Sequence, residues 1–201
     1  MRATRQGVHG LLAIALSGLL IAAPAHAIVS AGNTPTALHD ETDGDAAANR
    51  QAVSREIERF RSSSISISQA MAIAEARHAG ATTADISFDG GSGVPVYRVK
   101  TLHKDRIWRQ TINATTGEVM GGEAALPLAE LDLADRSNLA ALGTIKHRLT
   151  DAVRVAEHAA SGKAISGGLV REGGRLNFAI VVISGDDLKE VILEPPGARG
   201  K

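Results

Sequence analysis

The sequence lacks cysteine, and among its 201 residues it has only one tryptophan, one tyrosine and three phenylalanines. Without cysteine, neither disulfide bonds nor thiolate chemistry can contribute to stability or to catalysis. Aromatic side chains usually supply much of the buried area in a small core. The stability of this chain must therefore come from the packing of its core.

The sequence also lacks an excess of either charge, because 22 lysines and arginines balance 22 aspartates and glutamates. No basic stripe stands out along the chain. Proteins that bind nucleic acid or anionic membrane surfaces carry a clear positive patch or stripe. We therefore expect no nucleic-acid partner and no electrostatic attachment to a membrane.

One long apolar run lies near the N-terminus and predicts an export signal. Arg2 and Arg5 precede the apolar stretch from Leu11 to Ala23, and Ala25-His26-Ala27 is a small-x-small cleavage pattern. The run is too short, and too close to this pattern, for a stable membrane span, although an uncleaved anchor is the alternative. Cleavage after Ala27 would remove residues 1–27 and leave 20 basic and 22 acidic residues. We expect the mature chain in the periplasm or outside the cell.

Residues 28–54 are rich in alanine, threonine, aspartate and glycine and contain few large apolar side chains. Such a composition cannot bury enough surface to offset the entropy of ordering, so it predicts a flexible acidic leader. The stretch "HDETDGDAAAN" is acidic like a calcium-binding loop. Its twelfth position, counted from Asp40, is Gln51 instead of the bidentate glutamate that calcium requires.

The most informative feature is an internal repeat that follows a short helical segment, "REIERFR", at residues 55–61. The stretch "ISQAMAIAEARHAG", from Ile67, aligns with "LTDAVRVAEHAASG", from Leu149, at a constant shift of 82 residues. Each copy has apolar residues at helical spacing. We expect two helices, capped by Ser68 and Thr150 and ended by Gly80 and Gly162 in the left-handed conformation.

Each predicted helix is followed by short apolar stretches separated by glycine clusters and polar turns, which is the pattern of an antiparallel meander. The predicted strands are 85–88, 94–102 and 106–113 in the first copy, and 164–171, 175–183 and 188–193 in the second. The predicted fold class is α+β: two tandem units, each a helix packed on a small antiparallel β-meander.

Residues between the copies have apolar side chains at helical spacing from Leu131 to Leu142. We expect a helix here that joins the two units. The predicted domains are the signal peptide 1–27, the leader 28–54, unit 1 at 55–121, the bridging helix or linker 122–146, and unit 2 at 147–201.

The helix-plus-meander pattern resembles the PepSY domain, a module of thermolysin-like peptidase propeptides and many exported bacterial proteins. The likeness is carried by "ISQAMAIAEARHAG", "PVYRVKTL" and "WRQTINATTGEVM". The family shows S-x-x-x-A at the helix start, Y-x-V in a strand and D-x-x-T-G-x-V at the last strand. The matching residues are Ser68, Ala72, Tyr97, Val99, Thr116, Gly117 and Val119, whereas Asn113 replaces the usual aspartate. The second copy is looser, with Phe178 in place of the tyrosine.

The resemblance implies an exported, non-catalytic binding or regulatory module, with protease inhibition or propeptide-like chaperoning proposed for some members. It implies a protein partner in the cell envelope, with a peptidase as one candidate. It supplies no active-site residues to transfer to this chain.

The residues themselves give no catalytic signature. No H-E-x-x-H, G-x-S-x-G, P-loop or dinucleotide motif is present, so we expect no enzyme activity and no cofactor, with a hydrolase of unrecognised type as a weaker option. His78, His103, His147 and His158 match no metal-ligand spacing and are interpreted as scattered surface residues. The alternative function is a small-ligand or metal sensor that uses these histidines and a groove between the units.

Three aromatic residues, Trp108, Tyr97 and Phe178, are the candidate partner contacts. Aromatic side chains anchor protein interfaces when they are exposed, but they also fill small cores. Filling the core is the favoured interpretation of Tyr97 and Trp108, and Trp108 stays open as a contact residue. Asn113-Ala114-Thr115 matches a glycosylation acceptor formally. The second copy has Leu193 in place of Asn113, so we interpret this polar stretch as a strand end followed by a turn.

Overall fold

The computed structural model describes residues 41–91, 93–145, 147–172 and 174–195, with side chains from residue 51 onward. Residues from Ala46 onward form one compact unit, to which the following description applies. The helices are α1 (Glu41–Arg61), α2 (Ile67–Ala76), α3 (Leu133–Leu142) and α4 (Leu149–Ala160), with a short 3-10 helix at Leu128–Glu130. The strands are β1 (Thr82–Asp89), β2 (Val96–His103), β3 (Arg106–Asn113), β4 (Val119–Pro127), β5 (Lys163–Glu172), β6 (Arg175–Ser184) and β7 (Asp187–Leu193). The predicted signal peptide lies outside the described residues.

Helix α1 begins at Glu41, much earlier than the sequence pattern predicted. Of the predicted flexible leader at residues 28–54, residues 41–54 are helical, and residues 28–40 lie outside the described part of the chain. Alanine is the strongest helix former, and Ala46–Ala48 supplies three in a row. Val53, Ile57 and Phe60 follow at helical spacing, and they pack on the core.

Both helices of the repeat are present, but their caps differ from those predicted. The Ser66 hydroxyl accepts the Gln69 N–H at 3.2 Å, and the Gln69 side chain accepts the Ser66 N–H at 2.8 Å, so Ser66 and not Ser68 begins α2. This reciprocal pair is a capping box. At the start of α4, Asp151 accepts the backbone N–H of Arg148 at 3.3 Å. Thr150, the predicted cap, instead lies 3.9 Å from the sulfur of Met71.

The helix ends also differ from the prediction. Gly80 has the predicted positive φ of 85°, but α2 ends earlier, at Ala76. The left-handed residue after α4 is Ser161, with φ 53°, and not Gly162. Glycine is required at position 162 for a different reason, because a Cβ there would overlap the carbonyl oxygen of Ile183.

The seven strands form one antiparallel sheet in the order β4-β3-β2-β1-β5-β6-β7. The α+β class is therefore confirmed, but the two predicted meanders are not separate. They merge where β1 pairs with β5, at Asp85↔Gly168, Ile86↔Gly167 and Ser87↔Ser166. The arrangement as two tandem units remains a prediction.

Strand β4 is absent from the predicted strands. The sequence "VMGGEAALP" contains adjacent glycines, which weaken a strand pattern, and Gly121 has φ 69°. Pairing with β3 is interrupted there, because Arg109 lies opposite Ala124 and Thr111 lies opposite Met120. This strand crosses the expected boundary between unit 1 and the bridging segment.

Helices α2 and α4 lie side by side on one face of the sheet. The amide of Gln110 in β3 donates to the carbonyl of Ala74 in α2 at 3.3 Å. A Cβ at Gly167 in β5 would lie 3.5 Å from Leu149 and 3.7 Å from Val153 of α4. The core lies between this face and the two helices, and it is largely aliphatic.

The helix expected between Leu131 and Leu142 exists as α3, capped by Asp132, whose carboxylate accepts the Asp135 N–H at 2.8 Å. It packs against β5 and β6. Arg171 of β5 donates to the side chain of Asn138 at 3.1 Å. No helix within the described residues is long and apolar enough to cross a membrane.

Two glutamates at equivalent positions of the repeat make the same kind of contact. Glu75 of α2 accepts the backbone N–H of Thr83, at the start of β1, at 2.8 Å. Glu157 of α4 accepts the backbone N–H of Ala164, at the start of β5, at 3.0 Å. In each half a helix carboxylate thus satisfies the first amides of the strand that follows.

Candidate interaction site around Trp108

Trp108 lies in β3, one strand in from the sheet edge at β4. It pairs with Thr101 of β2 on one side and Ala125 of β4 on the other. Its side chain is partly exposed. The small Ala125 leaves the indole near the free edge, so Trp108 is the aromatic candidate that solvent reaches.

Two histidines stack beside this indole. The ring of His78, just after α2, lies 3.9 Å from the Trp108 ring, centroid to centroid, and the His103 ring lies 5.5 Å from that of His78. The interpretation of these two histidines as scattered surface residues is therefore wrong. His147 and His158, by contrast, are exposed. A weak signal was present in the sequence, since His78 lies near the end of a predicted helix and His103 directly follows the predicted strand 94–102.

An ion pair links this group of rings to β4. Arg77 donates to Glu123 at 2.8 Å, and His78 lies 3.1 Å from the other carboxylate oxygen. The hydrogen bond from Arg77 holds the pKa of Glu123 below its ordinary value, although burial alone would raise it. We call Arg77, His78, His103, Trp108 and Glu123 the Trp108 cluster.

Several polar atoms in and beside the Trp108 cluster are buried without a hydrogen-bond partner among the described residues. These atoms are the indole Nε1 of Trp108, the hydroxyl of its cross-strand neighbour Thr101 and the side-chain oxygen of Gln110. Unsatisfied buried groups cost free energy and are rare in native structures. The Trp108 cluster thus combines stacked rings, a cationic side chain and buried polar atoms without partners. These features suit it to the recognition of another molecule.

The other two candidate contact residues lie in the core. Tyr97 is 0% exposed and Phe178 is 1% exposed, so neither side chain is available to a partner in this conformation. The Tyr97 hydroxyl donates to the carbonyl of Ile65 at 2.7 Å, and the ring meets Phe88 edge to face at 5.6 Å. Burial, with a smaller contribution from the Glu157 carboxylate, raises the pKa of Tyr97.

The polar stretch after β3 is a strand end and a turn, as predicted. Asn113 is the last residue of β3, and its side chain accepts the N–H groups of Thr115 at 2.8 Å and Thr116 at 3.0 Å. Gly117 then adopts φ 78°. These bonds are the local turn contacts expected of asparagine.

A separate cavity of about 550 Å³ opens near the end of α1. Its wall is formed by the end of α1, the connection to α2 and its first residue, the core tyrosine, helix α4, the start of β5, the end of β6 and the turn that follows it. The residues are Phe60, Arg61, Ser63, Ser64, Ile65, Ser66, Ile67, Tyr97, Glu157, Lys163, Ala164, Ile183 and Gly185. Its volume falls in the range of small-molecule sites. Among the described residues, no three histidine, aspartate or glutamate side chains are placed to hold a metal ion.

Comparison with known proteins identifies one domain. A "putative lipoprotein" from Clostridium difficile 630 has a crystal structure similar at 15% identity, with a TM-score of 0.40, over 68% of this chain and 90% of that one. This similarity is too low to assign a function or a fold to the chain. No curated protein matches the chain. Residues 64–123, from the approach to α2 as far as Glu123, match the family model described as "Peptidase propeptide and YPEB domain". The chain therefore contains a PepSY domain, at residues 64–123.

Proposed function

We propose that this protein is an exported, non-catalytic PepSY-type binding or regulatory module that engages a protein partner in the cell envelope, with a peptidase as the first candidate. The observation that carries the proposal is the PepSY match over residues 64–123. Domains of this family occur in peptidase propeptides, and the resemblance implies a non-catalytic role, with protease inhibition or propeptide-like chaperoning proposed for some members. A signal peptide cleaved after Ala27 would deliver the chain to the periplasm or the exterior.

The Trp108 cluster is the proposed contact surface within this domain. Trp108 is partly exposed, and Arg77 is 53% exposed although it pairs with Glu123. Tryptophan and arginine are enriched among the residues that dominate interface energies. The β4 residue opposite Trp108 is the small Ala125, so a partner could contact the indole from the edge of the sheet without displacing a large residue.

Cross-linking and affinity capture from envelope extract test this proposal. The mature chain should enrich a specific partner, and Trp108→Ala should reduce the enrichment at least about tenfold, since interface tryptophans often contribute 2 kcal/mol or more (roughly thirtyfold). Tyr97→Phe is the matched control, because it changes a buried aromatic and leaves the surface intact. Recovery of no specific partner across growth conditions would refute the proposal.

Inhibition assays define the partner class further. If the partner is a thermolysin-like peptidase, stoichiometric mature chain should lower its activity, and Trp108→Ala should restore most of that activity. If the peptidase keeps full activity while the wild-type chain is bound, the binding role stands and inhibition is excluded.

A second candidate function is a small-ligand sensor, and the 550 Å³ cavity is the observation that favours it. The cavity brings together Arg61, Lys163, Glu157 and the serines that precede α2. A ligand that binds only the folded state raises the melting temperature by mass action. Melting curves with divalent metals, haem and small carboxylates test this function, and unchanged midpoints would exclude those ligands.

A further inference from the structure

Within the described residues the sheet has two free edges, β4 and β7. An edge strand presents unpaired N–H and C=O groups and can accept an added strand from another protein. The two edges are not equivalent, because their pairing to the inner strands and their outward-facing residues differ.

Edge β4 is poorly suited to strand addition. Its ladder is broken by the irregularity between Ala124 and Met120. Leu128 donates its N–H to the Asp105 carbonyl at 2.8 Å, which identifies this pair as hydrogen-bonded. Hydrogen-bonded and non-hydrogen-bonded pairs alternate along an antiparallel ladder, so Ala125 and Pro127 face outward. Proline has no N–H, so Ala125 supplies the one outward amide of the β4 segment that pairs with Arg106 to Arg109.

Edge β7 is regular over its whole length. Ser184 pairs with Asp187 across a two-residue turn, and the register continues without a shift to Phe178↔Leu193. The pair that closes a two-residue hairpin turn is hydrogen-bonded. By the same alternation, the residues whose N–H and C=O groups face outward are Leu188, Glu190 and Ile192.

The outward residues of β7 also share one face of the sheet. Glu190 lies opposite Val181 and Ile192 lies opposite Ala179, whereas the intervening Val191 lies opposite Ile180. Ile180 is 0% exposed and pairs with Gly167, which faces α4. Glu190 and Ile192 therefore lie on the face away from the helices, where an added strand would place side chains beside them.

Charge and exposure on this edge define what it would accept. Ile192 is 40% exposed, and Leu188 is partly exposed. Glu190 is exposed and makes no hydrogen bond or ion pair with the described residues. Lys189, on the other face, donates to the Ser184 hydroxyl at 3.0 Å. On the face away from the helices, the side chains of β7 are thus apolar, acidic and apolar at alternate positions: Leu188, Glu190 and Ile192.

We propose that β7 is a strand-addition site for an extended segment of a partner protein with the complementary pattern apolar–x–Lys/Arg–x–apolar. This inference rests on the proposed function, because it names the kind of partner that such a module would bind. A basic residue opposite Glu190 forms a favourable cross-strand pair, and the flanking apolar residues cover Leu188 and Ile192. Backbone hydrogen bonds supply affinity, and the alternating side chains supply specificity.

A second copy of this chain fits the edge less well. When two edges pair antiparallel, outward-facing residues lie opposite outward-facing residues. The outward residues of β7 include no cation, so in every such register Glu190 would meet Leu188, Ile192 or another Glu190. A partner of different sequence is therefore the occupant.

A labelled peptide tests the site directly. The probe is a blocked, fluorescein-labelled peptide with the core Val-Thr-Lys-Thr-Val, and the readout is fluorescence anisotropy with the mature chain. We expect saturable binding that is about tenfold weaker when the peptide lysine is replaced by glutamate, since attraction becomes repulsion at one cross-strand pair. Glu190→Lys should reverse this preference. Glu190→Pro removes an outward donor and should weaken both peptides.

The matched control is Ala125→Pro, the same change at an outward position of the other edge, which should leave peptide binding unchanged. Circular dichroism verifies the fold of each variant, and if Glu190→Pro fails to fold, the reversal in Glu190→Lys decides. No saturable binding of the basic peptide, or no reversal, overturns the inference. A partner captured equally by wild type and Glu190→Lys would overturn β7 as the site and preserve the proposed function. Failure to capture any partner would remove the proposed function instead.

Discussion

At the scale of single residues, burial decides what each aromatic side chain can do. Tyr97 and Phe178 occupy equivalent places in the repeat, and both lie in the core. Trp108 stays partly exposed because Ala125, its neighbour on the edge strand, is small. The sequence identified all three as the large aromatics of interest, but it could not separate them, since exposure depends on which strand becomes the sheet edge.

The buried hydroxyl of Tyr97 predicts loss of stability in alkali. The folded state raises its pKa, so the unfolded chain releases this proton first. The contribution of Tyr97 to the free energy of unfolding is fully present below about pH 10, the pKa of tyrosine in the unfolded chain. Above that pH the free energy of unfolding falls by up to about 1.4 kcal/mol per pH unit. Denaturant titrations between about pH 8 and pH 11 check this.

Tyr97→Phe is the test variant, because this is the only tyrosine in the chain. It should cost about 1 kcal/mol near neutral pH, through the lost bond to the Ile65 carbonyl, and it should flatten the alkaline decline. An equally steep loss of stability in Tyr97→Phe would show that titratable groups other than Tyr97 cause the alkaline decline.

The ion pair of Glu123 predicts the opposite pH dependence. Arg77 lowers the folded pKa of Glu123, so its contribution is present above about pH 4.3, the unfolded pKa, and is lost as the pH falls through the lower folded value. Arg77 is half exposed, which limits the effect to about 0.5–1 kcal/mol. Glu123→Gln should therefore reduce stability at neutral pH and much less at about pH 3, as measured by urea unfolding. An equal loss at both values would contradict a charge effect.

At the scale of elements, sequence patterns predicted the bounds of a strand where nearby turns determine them. Strand β3 has the predicted bounds, Arg106–Asn113, because a hairpin turn and an Asn113 turn delimit it. The capping box Ser66-x-x-Gln69 was readable from the sequence, but the repeat alignment favoured Ser68, two residues later. Strand β4 could not be read, because its glycines and irregular pairing remove the alternating pattern on which strand prediction depends.

Two serines near the start of α2 give a matched test of the cap. Ser66→Ala should lower the free energy of unfolding by about 1 kcal/mol, because the Gln69 N–H loses its acceptor. Ser68→Ala should change it by less than about 0.5 kcal/mol, as expected of a position without such a role. Chemical denaturation of both variants measures the difference. A larger loss in Ser68→Ala would restore the cap expected from the repeat.

At the scale of the whole molecule, pairing between β1 and β5 joins the two halves into one sheet. Sequence could not predict this contact, because strand order depends on long-range pairing that no local pattern encodes. The same pairing leaves β4 and β7 as the free edges and brings α2 beside α4. Arg148, the residue that precedes α4, donates to Glu75 of α2 at 3.2 Å across that boundary.

A continuous sheet predicts one cooperative unfolding transition for both halves. The only tryptophan lies in the first half, so its fluorescence reports on that half alone. Val153, in α4 of the second half, is 0% exposed, and Val153→Ala should cost about 2 kcal/mol. The midpoint of Trp108 fluorescence should shift by as much as the midpoint of circular dichroism. An unchanged fluorescence midpoint would show two independent halves.

Amide hydrogen exchange followed by NMR tests most directly whether the protein acts by presenting this sheet to an extended segment of another. In the free protein, the amides of Leu188, Glu190 and Ile192 should exchange quickly, and those of Lys189 and Val191 slowly, as the β6–β7 register requires. Saturation with the basic Val-Thr-Lys-Thr-Val peptide should protect the three outward amides. Unchanged fast exchange of these amides in the peptide complex would contradict binding at β7.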